Sequence, residues 1–140
     1  MKILKLTPNF EVKSVEETVA FYQSVLGFSL VMAVPDTQDG IEQVISKDKN
    51  YVYALVKKDE VEMMFQHTES FRQDLHFAKS NVMGASVSFY MEVDHIEELH
   101  AFVQEKVKKV TRLKTTWYGM KEFYFKDIND YILGFAQKAK

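Results

Sequence analysis

Residues 10 to 23, FEVKSVEETVAFYQ, return 81 positions later as residues 91 to 104, MEVDHIEELHAFVQ. Seven of the fourteen aligned positions are identical: Glu11/Glu92, Val12/Val93, Glu16/Glu97, Glu17/Glu98, Ala20/Ala101, Phe21/Phe102 and Gln23/Gln104. Each copy runs from an alternating apolar segment into a segment of helical period, so the chain carries one strand-into-helix phrase twice. Such a repeat predicts two modules built alike.

Working outward from the first copy, Ile3 to Val12 alternates, with Leu4, Leu6, Pro8, Phe10 and Val12 on one face, which predicts a half-buried strand. Ser14-Val-Glu-Glu17 has capping-box spacing, in which the serine hydroxyl takes a first-turn amide proton and Glu17 reaches back. Val15, Val19, Tyr22 and Leu26 recur at helical spacing, and Gly27 stands where a left-handed residue closes the helix. Strands are expected at about Phe28 to Val34, Gln43 to Lys57 and Val61 to Gln66. Around the second copy, the strand containing Val87, Phe89, Met91 and Val93 leads to Asp94 or His95 as cap and to a stripe of Ile96, Leu99, Val103 and Val107. Strands at about Arg112 to Trp117, Lys121 to Phe125 and Tyr131 to Gln137 complete it. The expected organisation is one α+β domain of two βαβββ modules, residues 1 to 66 and 84 to 140. A polar connection with a short helical turn, residues 67 to 83, fits neither.

At 140 residues with 46% hydrophobic and 14% aromatic content, the chain can bury one substantial core. Its net charge of −2 supplies no field to draw in nucleic acid or an anionic membrane, so a small neutral or zwitterionic partner fits better. The absence of cysteine removes disulfides, thiolate metal sites and cysteine nucleophiles. With no signal-like apolar run at the start and no membrane span, the expected location is the cytoplasm.

Three passages, VKSVEETVAFYQSVLGF after the first strand, VEMMFQ at 61 to 66 and DINDYILGF at 127 to 135, together resemble the vicinal oxygen chelate superfamily of glyoxalases, extradiol dioxygenases and bleomycin-resistance proteins. The resemblance implies paired βαβββ modules whose sheets curl around a central cleft, and association into a homodimer. One departure is Asp127-Ile128-Asn129-Asp130, where the family usually has Asp-Pro-Asp-Gly; Asp and Asn tolerate the tight turn with less ease than glycine.

Enzymes of this superfamily hold a divalent ion with His, Gln or Glu from four strands. The resemblance places those positions here at Thr7, Glu62, Ser88 and Gly134. A divalent ion needs several donors converging at about 2.0–2.6 Å, and a lone carboxylate does not provide them. No metal is therefore expected, and no cofactor. His67, His76, His95 and His100 have no pair at ligand spacing and read as surface residues.

Strand alternation points Thr7, Asn9, Glu62, Met64, Gln66, Ser86, Ser88, Tyr90, Glu122, Tyr124 and Gly134 away from the helices and into the cleft, with Trp117 and Tyr118 at its rim. Of these, Thr7, Asn9, Met64, Ser88, Tyr90, Trp117, Tyr118 and Tyr124 are the expected ligand-binding residues, a polar lining with aromatic walls suited to a planar or partly apolar small molecule. The same aromatic positions equally suit a filled cleft or a dimer interface. Glu62 is the candidate acid or base: enclosed beside Met64, and with Glu122 as a like charge, its pKa would rise. A Lys-paired or solvated Glu62 is the plainer alternative.

Three functions follow. The favoured one is a metal-free binding protein like the bleomycin-resistance group. The second is an enzyme of the same superfamily, metal-free through Glu62 or using a relocated divalent metal. The third is a protein-interaction module with a closed cleft.

Overall fold

The computed structural model describes residues 1–84 and 86–140. The chain forms two compact units, Met1–Asn81 and Val82–Lys140. The first contains β1 (Asn9–Val12), α1 (Val15–Leu26), β2 (Ser29–Pro35), β3 (Tyr51–Lys58), β4 (Val61–His67), α2 (Thr68–Asp74) and a 3-10 turn, His76–Ala78. Its sheet runs β1-β4-β3-β2, with β1 parallel to β4 and the other pairs antiparallel. The second contains β5 (Ser88–Glu92), α3 (Ile96–Lys106), β6 (Lys114–Thr115), β7 (Met120–Lys126) and β8 (Ile132–Lys138), in the order β5-β8-β7-β6 with β5 parallel to β8. The two sheets have the same topology, so the fold is α+β and built from two βαβββ modules. No helix among the described residues is long and apolar enough to cross a membrane.

The first helix begins and ends where its sequence directs. Ser14 is extended, its Oγ accepts the Glu17 amide proton at 3.2 Å, and Gly27 closes the helix at φ +73°. The carboxylate tied to this cap is that of Glu16: it accepts from Ser14 Oγ at 3.1 Å and from the Tyr51 amide at 2.6 Å, fastening the helix start to β3. The apolar stripe of α1 then packs on the sheet, with Tyr22 fully buried and its ring 4.8 Å from that of Phe65 and 5.7 Å from that of Phe28. In the second unit Ile96 and Val103 are fully buried against a sheet face carrying Phe123, Phe125, Leu133 and Phe135. There His95 occupies the cap position at φ +53°, without a side-chain cap bond, and Asp94 pairs with the His95 ring at 3.3 Å.

Three strands are shorter than their periodicity suggests. β1 starts at Asn9, and Ile3, Leu4 and Leu6 are 85–89% exposed, so Leu6 is not a core residue. Asn9 stands beside Met64, and β4 begins at Val61, three residues earlier; residues before Leu6 therefore have no strand to lie against. β3 begins only at Tyr51, because residues 37 to 50 form a loop joined to β2 by the Ala33–Glu42 bridge. The Tyr51 hydroxyl holds that loop, accepting from the Ser46 amide at 2.9 Å and donating to Glu42 at 2.7 Å. β6 is reduced to two residues.

The expected connection is structured through residue 81 and belongs with the first unit. Glu11, 4% exposed in β1, accepts from Arg72 Nε at 2.6 Å and Thr68 Oγ1 at 2.5 Å, docking α2 on the sheet. Arg72 also donates to the carbonyls of Lys79 and Asn81.

The turn at Asp127-Ile128-Asn129-Asp130 survives its departure from the family pattern. Asp127 Oδ1 accepts the amide protons of Asn129 and Tyr131 at 2.8 and 3.0 Å, and Asp130 adopts φ +69° where glycine would be unstrained. Asp130→Gly should therefore raise stability by about 0.5 kcal/mol, the relief at positive φ exceeding the added backbone entropy of the unfolded chain. An unchanged or lower urea midpoint would show that this aspartate carries no backbone strain.

Candidate functional site

Each sheet has one face against its helix and one face opposite. In the first unit Met63 and Phe65 lie on the α1 side, 2% and 0% exposed, so Glu62, Met64 and Gln66 point to the other face. Register extends that face: Asn9, Met64, Leu55 and Met32 lie side by side across four strands, and Gln66 neighbours Tyr53. Met32, Val34, Tyr53, Leu55 and Met64 are all half-buried there. Beside them is a cavity of about 540 Å³ lined by Val34, Ile41, Tyr53, Gln66, Ser70 and Asp74, a size suited to a small ligand.

A polar chain crosses this face. Gln66 Nε2 donates to Asp74 at 2.7 Å and Ser70 at 2.8 Å, while its Oε1 accepts from Asn9 Nδ2 at 2.9 Å. Because the Asp74 carboxylate only accepts, it orients the Gln66 amide, and Gln66 in turn orients Asn9. Asn9 Oδ1 is left as a buried acceptor without a hydrogen-bond partner among the described residues. Burial, then the Glu62 charge, raises the Tyr53 pKa, keeping this phenol a donor at neutral pH.

Glu62 is not the enclosed, raised-pKa acid that its sequence setting suggests. It pairs with Lys5, and that hydrogen bond holds its carboxyl below the usual range. The position is the Lys-paired alternative.

In the second unit His100 packs edge-on to Phe123 at 4.8 Å, which fixes the α3 side of β7 and turns Glu122 and Tyr124 to the opposite face. Tyr90 on β5, Gly134 on β8 and Tyr124 on β7 lie in one row. A Cβ built on Gly134 would come within 2.4 Å of the Tyr124 ring, so the absent side chain leaves that ring its place over the Gly134 backbone. Next to this row Glu122, only 3% exposed, accepts from the Tyr90 hydroxyl at 2.5 Å and from the Tyr118 hydroxyl at 2.8 and 2.9 Å. The Glu122 hydrogen bonds push the Tyr90 and Tyr118 pKa values up; burial is the main cause for Tyr124. Trp117, 95% exposed, meets Tyr118 edge-to-face with ring centres 5.3 Å apart.

The structure thus joins Asn9 with Met64 on one sheet, and Tyr90, Tyr118, Tyr124 and Trp117 on the other. Thr7 is half-exposed just before β1, and Ser88 lies exposed at the start of β5. Ser70 and Asp74 enter the first face from α2, where their spacing carried no signal. Glu122 was legible from alternation as a lining residue, but its role as the acceptor of two phenols was not.

The four metal positions do not fit a divalent ion. Glu62 is engaged by Lys5, the Tyr124 ring covers Gly134, and Thr7 and Ser88 offer only neutral hydroxyls. Among the described residues no three His, Asp or Glu side chains converge elsewhere. His67 caps α2 through Nδ1, His76 is exposed, and His100 bonds the Thr111 carbonyl at 3.0 Å.

No curated protein sequence matches the chain. Solved structures do: the bleomycin-binding protein of bleomycin-producing Streptomyces verticillus, complexed with copper(II)-bleomycin, is 19% identical, with 100% of this chain and 98% of that chain covered and a TM-score of 0.60. TnmS3, an antibiotic binding protein from Streptomyces sp. CB03234, is 17% identical over 99% of both chains, with a TM-score of 0.67. A glyoxalase-related enzyme from Clostridium phytofermentans is 15% identical, with 99% of this chain and 97% of that chain covered and a TM-score of 0.66. These identities establish a common fold and leave chemistry to the site. The model of one family matches residues 8–134, from just before β1 into β8 and so across both copies of the repeated phrase: the chain belongs to the Glyoxalase/Bleomycin resistance protein/Dioxygenase superfamily.

Proposed function

We propose that this protein binds a small, flat and partly apolar organic molecule on a sheet face opposite a helix, without a metal ion. The aromatic cluster of the second sheet carries the reading. Tyr90, Tyr118 and Trp117 are 46%, 52% and 95% exposed, and three large rings gathered in the open beside a buried carboxylate are a poor arrangement for a surface with no partner. They are a good one for stacking a planar ligand. In its own unit, the first sheet offers Met32 and Met64, whose flexible thioethers adapt to irregular apolar shapes. Bleomycin-binding and antibiotic binding proteins of the same fold support small-molecule capture, and the ill-suited donor positions support capture without metal. The reading includes a homodimer, to which the exposed Ile3, Leu4 and Leu6 would contribute apolar surface.

Trp117 is the chain's single tryptophan and reports on this site directly. Titration with bleomycin and, separately, with acridine should quench its fluorescence saturably, equally with and without EDTA. A flat response to both compounds rejects ligand binding, and quenching abolished by the chelator rejects the metal-free part. Sedimentation equilibrium at micromolar protein should give twice the 16.4 kDa chain mass; a monomer rejects the dimer.

A further inference from the structure

We infer that the face opposite α3 recognises an organic cation: a protonated or quaternary amine on a flat apolar body, seated against the rings of Tyr90, Tyr118 and Trp117 with the Glu122 carboxylate behind them. The inference rests on the small-molecule reading above and names the ligand's chemical class.

The first argument is charge. Glu122 is 3% exposed, and carboxylates this deeply buried are ordinarily paired with a cation. Its hydrogen-bond partners are two neutral phenols. Among the described residues no Lys, Arg or His nitrogen forms an ion pair with it. Lys114 is its register partner on β6 and makes no such pair, and the adjacent Lys121 pairs with Glu97. A ligand cation would supply the charge that this unit withholds.

The second argument concerns what the tyrosines leave available. Both hydroxyl protons are given to Glu122, so the exposed parts of Tyr90 and Tyr118 are ring rather than donor. A phenol that donates to a carboxylate has a more electron-rich ring, and an electron-rich ring face attracts cations. Trp117 stands at 88° to Tyr118, making two walls of a corner. Tyr124, packed over Gly134, adds another ring to this face. An anionic ligand would face Glu122 through the same rings and be repelled.

A matched pair of probes isolates the charge: N-methylacridinium and acridine have nearly the same shape, and at mildly alkaline pH only the first is charged. Calorimetric titration of the full chain should show the cation binding about tenfold tighter. In Glu122→Gln the two probes should bind with equal affinity, and Tyr90→Phe, which keeps the ring, should reduce the preference by about half or more. If Glu122→Gln fails to fold, the wild-type ratio and Tyr90→Phe still decide. Equal affinities in the wild type, or a preference that persists in folded Glu122→Gln, overturn the inference while small-molecule binding stands. If neither probe nor bleomycin binds and Tyr118→Asp splits a dimer, the face belongs to a second copy and both readings fall.

Discussion

Arg72→Ala is expected to destabilise the first unit by about 2–3 kcal/mol, the range for losing hydrogen bonds to a charged group. Glu11 is 4% exposed and has Arg72 as its cationic partner, at 2.6 Å. Removing the guanidinium takes a charged donor at 2.6 Å from a buried carboxylate, and deleting one partner costs more than the net worth of the pair when both are present. It also frees the carbonyls of Lys79 and Asn81, the last residues before the unit ends. Arg72 is partly exposed, so Arg72→Lys should recover part of the loss through charge alone while failing to reproduce the three-way geometry. Urea unfolding gives the size of the effect, and hydrogen exchange at α2 amides gives its place. A loss below about 0.5 kcal/mol, the level of an exposed pair, would show that the clasp contributes little.

This contact also shows where the sequence stops being readable. The modules, both long helices, the Ser14 and Gly27 caps and the alternation of β4 and β7 all follow from periods of 3.6 and 2 and from local cap chemistry. Glu11 and Glu92 occupy equivalent places in the repeat and look interchangeable. Only Glu11 is buried, because only the first unit has α2 to lay across it; Glu92 is exposed. A partnership between positions 11 and 72 has no local period to reveal it. Strand ends are hidden for the same reason: Ile3 to Leu6 alternate correctly, but a strand also needs a neighbour, and β4 reaches back only to Val61, level with Leu6.

The site divides along the same line. Alternation placed Asn9, Met64, Tyr90 and Tyr124 on the right faces, since that depends on each strand alone. The state of Glu62 depended on Lys5, in a segment read as strand interior, and its pKa moves down where burial and like charge would have moved it up. Gly134 looked like a missing ligand when counted along the chain. Across the sheet it is the space into which the Tyr124 ring fits. The loss of a donor there and the gain of an aromatic floor are one structural event.

Asp127→Ala is expected to cost about 3 kcal/mol, because one carboxyl oxygen accepts two backbone protons inside the protein. The Asn129 and Tyr131 amides point at Asp127 Oδ1 at 2.8 and 3.0 Å, and all three residues are between 4% and 7% exposed. Alanine removes that acceptor from both amides, and water cannot easily replace it at this burial. The backbone bonds of the turn, Asp130 N to Asp127 O at 3.1 Å and Asp127 N to Tyr131 O at 2.9 Å, persist in principle but lose the side chain that orients them. The turn feeds β8, which carries Leu133, Phe135 and the Gly134 row, so slackness here reaches the core and the aromatic face together. Asp127→Asn keeps an oxygen acceptor of the same reach and should lose less than half as much. A matching loss in both variants would mean that the carboxylate's charge, rather than its two hydrogen bonds, holds the turn; a loss under about 1 kcal/mol for alanine would mean that neither does.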